Sequence, residues 1–200
     1  SCGNLNLTGD WRTANRASAG IAPLAVRTPE AIVQVYAGRA FRWRGIFGVH
    51  TWIATKEEGA PHYVVHDVIG WRSYYGESSV ASYASIPDRH WFGAKPELLA
   101  ELRGPQAVAV IPRIYAAVRD YPHANDYVVW PGPNSNTFVA HVARQIPELR
   151  LDLPPTAIGK DYLANAELFS PSPSGTGVQI SLVGALGVLV GVEEGLEFNV

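Results

Sequence analysis

Methionine is absent from this 200-residue sequence, cysteine occurs once, and charged residues are scarce at 17%. The single cysteine, Cys2, excludes an internal disulfide and any zinc site built from cysteines. A net charge of −2 argues against a nucleic-acid partner, because a surface that binds the phosphate backbone needs an excess of basic residues. No histidine spacing is typical of a metal site either, so we expect neither a metal nor a cofactor.

Long hydrophobic runs are also missing. The most apolar segment, residues 178–192, is interrupted by glycine and polar residues and is shorter than the ~20 residues that span a bilayer. Hydrophobic residues nevertheless make up 47% of the chain, enough for one sizeable core. We expect residues 1–28, which are polar and small, to form an extended N-terminal arm, and residues 29–200 to form a single α+β domain.

The position of Cys2 suggests a location for the protein. A cysteine that follows one small residue at the start of a chain without an initiating methionine is typical of a processed bacterial lipoprotein. This interpretation predicts lipid attachment at Cys2, a place in the cell envelope on the periplasmic side, and contact with a membrane only through that anchor. The alternative is an incidental cysteine beside an arbitrary chain start.

A β-hairpin is the clearest local feature. Residues 47–56 (FGVHTWIATK) and 62–71 (HYVVHDVIGW) are rich in β-branched and aromatic residues and flank a turn that contains glycine and proline. If paired residue numbers sum to about 118, His50 lies opposite Val68 and His66 lies opposite Trp52. Residues of one parity then share a face, so His50 and His66 are predicted to be diagonal neighbours on the same side of the sheet.

The other segments give a coarser picture. The sequence favours a strand at 29–41, a long loop at 73–93, helices at 96–103 and 105–121 with Pro112 kinking the second, a short strand at 127–130, a helix at 137–146, and a final strand pair at 178–200.

Ser135 is the candidate nucleophile. The segment WPGPNSNTFVAHV (130–142) leaves a predicted strand, passes a proline–glycine turn and enters a helix. A hydroxyl at a helix start lies near free backbone N–H groups and the positive end of the helix dipole, which stabilises an oxyanion. The alternative is that Asn134, Ser135, Asn136 or Thr137 only caps the helix. A lone His50 on a strand is likewise often structural, although His66 on the next strand could orient its imidazole.

The order of these motifs resembles the circularly permuted papain-like fold of NlpC-type cell-wall peptidases and lecithin:retinol acyltransferases. Those proteins carry a histidine on one strand, a polar residue on the next, and a cysteine at a helix start, commonly after an asparagine. Asn134-Ser135 stands at the matching place, with serine instead of the nucleophilic cysteine. The resemblance implies His50 as base, His66 as its orienting group, and backbone N–H groups near Asn136 as the oxyanion hole.

The sequence more specifically resembles a bacterial domain-of-unknown-function family, number 3750. The segments that carry this resemblance are 10–23 (DWRTANRASAGIAP), 43–54 (WRGIFGVHTWIA), 130–142, 153–162 (LPPTAIGKDY) and 172–200. They extend over most of the chain, and the family brings no settled activity with it.

Three functional hypotheses follow. The first is a hydrolase or acyltransferase that acts on amide or ester bonds of cell-wall or lipid material through Ser135, His50 and His66. The second is a catalytically inactive domain that binds a cell-wall or lipid fragment, since a serine hydroxyl is far less acidic than a thiol. The third is a structural lipoprotein module. In either of the first two, Asn134, Asn136, Trp52 and Trp130 are the predicted binding residues.

Overall fold

The computed structural model describes residues 10–163 and 167–199 and shows an α+β protein with two antiparallel sheets. Cys2 and its predicted lipid attachment lie outside the described residues. Within them, no helix is both long and apolar enough to cross a membrane.

The first sheet has five strands in the order β4-β3-β2-β1-β5, and every neighbouring pair is antiparallel. The predicted strand at 29–41 and the predicted hairpin are confirmed. Their strands are β1 (Ile32–Arg39), β2 (Val49–Lys56) and β3 (Val64–Val68), and the sheet is completed by β4 (Val80–Ala84) and β5 (Glu97–Arg103).

Two helices cover one face of this sheet. They are α2 (Pro105–Arg119), which continues through Pro112, and α3 (Ser135–Gln145), while the short α1 (Arg44–Phe47) precedes β2. The helices contribute residues such as Ile114, Phe138 and Val142 to a core that also contains Val35 and Ile53 of the sheet. This apolar face explains why the periodicity of the two long helices was visible in the sequence.

The opposite face is covered by the N-terminal segment and the loop before β5. Ile21 and Ala22 of that segment and Trp91 of the loop pack against the buried Tyr36 and Trp52. Within residues 10–28 the only helical element is a short 3-10 turn at Ala25–Arg27. Asp88 fixes this segment to the loop by accepting hydrogen bonds from the Ser18 hydroxyl at 2.9 Å and the Ile21 N–H at 2.7 Å.

Several predicted elements were wrong. Residues 97–103 form strand β5 rather than the helix predicted at 96–103. Pairing with β1 satisfies their backbone instead. The predicted loop at 73–93 contains β4, and residues 127–130 form no strand but an exposed approach to α3.

The second sheet follows the first along the chain. Instead of the expected strand pair it has four strands that form a simple meander: β6 (Phe169–Pro171), β7 (Gly177–Leu182), β8 (Leu186–Gly191) and β9 (Gly195–Asn199). Arg144 of α3 connects it to the first part of the molecule by donating hydrogen bonds to Pro171 O at 3.0 Å and to Gln179 Oε1 at 2.5 Å.

Candidate functional site

The pairing of β2 with β3 corrects the predicted neighbour of His50. Ile53 lies opposite His66, so paired residue numbers sum to 119 and not to 118. A shift of one residue moves every side chain of a strand to the other face. His66 therefore projects toward the helices, and Asp67 shares the face of His50.

His50 is held by a buried carboxylate. Its Nε2 lies 2.7 Å from Asp67 Oδ1, and the Asp67 side chain is almost fully enclosed. The imidazole also stacks on the indole of Trp91, with ring centroids 3.7 Å apart and planes 5° from parallel. With Nε2 engaged, Nδ1 is the ring nitrogen left for exchange of a proton with a ligand.

Asp67 is shared between His50 and a buried arginine. Arg89 Nη2 donates to Asp67 Oδ2 at 2.7 Å and to the Tyr83 hydroxyl at 3.2 Å. The guanidinium also lies over the Trp52 ring, 5.3 Å from its centroid. Burial and the nearby carboxylate raise the pKa of Tyr83 to about 12, so this phenol stays protonated. Asp67 therefore orients His50 within a rigid network whose negative charge is already paired.

His66 has a structural environment on the helix side. Its Nδ1 hydrogen-bonds with Ser82 Oγ at 2.8 Å, its Nε2 with Thr55 Oγ1 at 3.1 Å, and its ring lies edge-on to Tyr115. Burial lowers the pKa of His66 to about 4, which keeps the imidazole neutral at pH 7. The predicted role of orienting His50 belongs to Asp67 in this geometry.

Asn134, and not Ser135, caps helix α3. The Asn134 side-chain oxygen accepts hydrogen bonds from the N–H groups of Asn136 and Thr137, and the Thr137 hydroxyl accepts one from Asn134 N–H. This reciprocal arrangement is a capping box. It leaves the Ser135 hydroxyl free of any capping role, and in the described part of the chain that hydroxyl makes no hydrogen bond.

The capping box also occupies an N–H group that was predicted to form the oxyanion hole. The N–H of Asn136, which the papain-like resemblance assigns to an oxyanion, donates to Asn134 Oδ1 at 2.9 Å. The side chain of Asn136 is engaged as well, since its amide donates to Val49 O at 3.1 Å and to Ile158 O at 2.8 Å. Asn136 thus joins the start of α3 to β2 and to the loop that contains Ile158.

The backbone of Ser135 lies beside β2, on the face opposite to the one from which the His50 side chain projects. Thr51, the residue after His50, donates a hydrogen bond to Ser135 O at 3.3 Å, so the first turn of α3 packs on the face of Thr51. Successive side chains of a strand alternate between faces. Across the residues the structure describes, no hydrogen bond joins the Ser135 hydroxyl to His50.

The two predicted tryptophans differ in accessibility. Trp52 is fully buried and donates from its indole N–H to Pro87 O at 2.7 Å, so it supports the core and cannot reach a ligand. Trp130 is more than half exposed on the approach to α3.

Trp130 belongs to a group of exposed aromatic residues whose other members were not predicted from the sequence as binding residues. We call this group the aromatic rim: Trp43, Phe47, Trp71, Tyr74, Tyr75 and Trp130. They lie on α1 and at its N-cap, Trp43, just before β2, on the 3-10 helix Gly70–Tyr75, which follows β3, and on the approach to α3. Gly70 packs so closely on the Tyr127 ring that an added Cβ would lie 2.4 Å from it, so two of these segments touch. The alternation of aromatic residues with arginine in FRWRGIF (41–47) was the available signal.

In the described residues, no group of three or more histidine, cysteine or acidic side chains is arranged to hold a metal ion.

Comparison with curated proteins and with solved structures gave no significant match. A family model described as "Protein of unknown function (DUF3750)" matches residues 30–162, well over half of the chain. The match includes the first sheet, α2, α3 and the three resemblance segments 43–54, 130–142 and 153–162, whereas 10–23 and 172–200 lie outside it. The chain belongs to this family.

Proposed function

We propose that this protein is a cell-envelope binding domain with a permuted papain-like arrangement, which holds a lipid or cell-wall fragment without turning it over. The observation that carries the proposal is that, among the described residues, no hydrogen bond joins the Ser135 hydroxyl to His50. Ser135 packs on the Thr51 face of β2, and His50 projects from the other face against Trp91. An acyl transfer requires nucleophile and base within hydrogen-bond reach of each other.

The occupied oxyanion position supports the same conclusion. A tetrahedral intermediate is stabilised by N–H donors that point at its oxygen. The N–H of Asn136 is already spent on the capping box of α3. A ligand at this helix start would have to break the cap to obtain that donor.

The aromatic rim provides the binding surface of this proposal. Exposed tryptophan and tyrosine side chains combine an apolar ring with a polar edge, and they are enriched where proteins meet amphipathic partners. The exposed Arg44 on α1 adds positive charge for the acidic groups of lipid headgroups or cell-wall peptides, whereas Arg72 on the 3-10 helix is paired with Glu77. The papain-like motif order and the envelope location are parts of the proposal that come from the sequence alone.

A hydrolase or acyltransferase is the second candidate, and the His50–Asp67 hydrogen bond favours it. A carboxylate on Nε2 fixes the imidazole and leaves Nδ1 for proton transfer, which is the arrangement a general base requires. The Ser135 hydroxyl stands at the positive end of α3. This candidate requires the Ser135 hydroxyl to come within hydrogen-bond reach of His50 when a ligand binds.

One set of experiments separates the two candidates. Binding of phosphatidylglycerol vesicles and of soluble peptidoglycan fragments would be measured for the wild type, Trp130→Ala and the control Trp11→Ala. The two tryptophans are similarly exposed, at 55% and 51%, but Trp11 lies in the N-terminal segment. We expect about tenfold weaker binding for Trp130→Ala, which corresponds to one aromatic contact of about 1.4 kcal/mol, and little change for Trp11→Ala.

Turnover would be followed with the same ligands and with an activated ester. The binding proposal predicts no turnover and unchanged binding by Ser135→Ala. Turnover by the wild type that disappears in both Ser135→Ala and His50→Ala would reject the binding proposal and support the hydrolase or acyltransferase. Equal binding by the two tryptophan variants would remove the aromatic rim from the site.

A further inference from the structure

The second sheet buries most of its polar side chains and exposes most of its apolar ones, with the fully buried Leu189 of β8 as an exception. Along β7, Gln179 and Ser181 are buried, whereas Val178, Ile180 and Leu182 are exposed. The usual arrangement of a sheet with one solvated face is the opposite, with apolar residues toward the core.

Specific hydrogen bonds fix this orientation. Gln179 donates from its side-chain amide to Asp161 Oδ1 at 2.6 Å and accepts from Arg144 of α3. Lys160 forms an ion pair with Glu197 of β9 beneath the same sheet. Because these buried polar groups depend on one another, the sheet cannot turn its other face inward without leaving them unpaired.

The outer face is continuous across all four strands. The strand pairing aligns Phe169, Ile180, Val188 and Phe198 in one row, Pro171, Val178, Val190 and Leu196 in a second, and Leu182 with Leu186 in a third. Eight of these side chains are between 43% and 74% exposed: Phe169, Val178, Ile180, Leu182, Leu186, Val190, Leu196 and Phe198. We call this surface the outer β face.

We propose that the outer β face is the interface between two copies of this chain, packed sheet against sheet. Its eight exposed side chains present on the order of 900 Å², which matches the roughly 800 Å² per partner that a standard interface buries. The largest apolar patch on a typical monomer is only about 300–600 Å². Aligned sheets pack about 10 Å apart with interdigitated side chains, which suits these flat apolar rows.

Charge favours a second copy over a bilayer. Residues 161–200 contain no lysine or arginine and five acidic residues, Asp161, Glu167, Glu193, Glu194 and Glu197. Surfaces that lie on membranes surround their apolar residues with basic ones, because cellular membranes carry anionic lipids. The outer β face carries no charge within its rows, so it is complementary to itself through a twofold axis.

The test is the oligomeric state of the whole chain and of two matched variants. Val190 lies in the central strand β8 at 51% exposure, and Val108 on α2 has nearly the same exposure at 48%. Analytical ultracentrifugation would compare the wild type, Val190→Glu and the control Val108→Glu. Circular dichroism would show that each variant is folded, and flotation with neutral and anionic vesicles would test the bilayer.

We expect a wild-type dimer at micromolar concentration, a dissociation constant about 100-fold higher for Val190→Glu, and no change for Val108→Glu. A second folded variant, Leu196→Glu in the adjacent strand, should also be monomeric. A monomeric wild type would overturn the proposal, and so would a dimer that survives both substitutions on the outer β face. It would also be overturned if the wild type were monomeric and bound vesicles through this face, so that Val190→Glu abolished the binding.

Discussion

The two sheets of this protein differ in which of their side chains are buried. The five-stranded sheet is covered on both faces, by α2 and α3 on one side and by the N-terminal segment and the Trp91 loop on the other. The four-stranded sheet directs polar side chains toward the rest of the molecule and presents the outer β face to solvent. Alternation along a strand therefore shows that two faces differ, but it does not show which face is inside.

The difference also follows the family boundary. The match to the family covers residues 30–162, which contain the first sheet and its helices, and ends before β6. The first sheet carries the hydrophobic core and the network around His50. The second sheet is attached through a few polar side chains, notably Arg144, Lys160 and Asp161. We expect the two sheets to respond differently to the same kind of substitution.

The largest effect is expected from removing apolar volume in the first sheet. Ile53→Ala deletes a fully buried side chain between the sheet and α3, and should lower the free energy of unfolding by about 4 kcal/mol. Ile180→Ala on the outer β face, where the isoleucine is 43% exposed, should cost less than about 1 kcal/mol in the monomer. Urea unfolding at submicromolar concentration measures both; similar losses would show that the second sheet is packed like the first.

A somewhat smaller effect is expected from the polar attachment of the second sheet. Lys160→Met removes the partner of Glu197 and the hydrogen bond from Nζ to Leu153 O. Breaking one side of a buried pair leaves an uncompensated charge, and we expect a loss of about 3 kcal/mol. The double variant Lys160→Met/Glu197→Leu should recover most of it, as thermal unfolding will show. No recovery would mean that Lys160 acts through Leu153 and not through Glu197.

Much of the first sheet could be predicted from local patterns. β1, the β2–β3 hairpin and the two long helices have patterns long enough to identify, and the structure confirms these elements. Strand β5 could not be predicted in this way, because ELLAELR (97–103) consists of strong helix formers. Its conformation is decided by pairing with β1, a contact far along the chain.

The candidate site depended on a single residue of register. The turn at 57–63 allows pairing sums of 118 or 119, and the choice between them decides whether His66 or Asp67 accompanies His50. The adjacent His66-Asp67 pair left both residues as possible partners in the sequence. The positions of Ser135 and Asn136 were predicted at the helix start, and capping by one of residues 134–137 was a stated alternative. The bonds from the Asn136 side chain to Val49 O and Ile158 O could not be predicted, because they depend on tertiary contacts.

The smallest change we expect is in the pH dependence of stability. Lowering the pH should change the contributions of His66 in the first sheet and Asp161 under the second sheet in opposite directions. Burial lowers the pKa of His66 in the first sheet from 6.5 to about 4, so the unfolded state binds the proton more tightly. The stability that neutral His66 contributes is complete above pH 6.5, and about 2–3 kcal/mol of the free energy of unfolding is lost as the pH falls toward 4.

Asp161, under the second sheet, has the opposite effect. Burial raises its pKa above the ordinary 3.8, so the folded state binds the proton more tightly and the free energy of unfolding grows on acidification. Denaturant unfolding between pH 7 and pH 4 measures how the free energy of unfolding depends on pH. Its loss on acidification should be smaller for His66→Gln and larger for Asp161→Asn than for the wild type. The control is His62→Gln, which changes an exposed histidine of the same hairpin. Profiles that shift in the same direction for both variants would show that burial does not act on these two groups as the structure indicates.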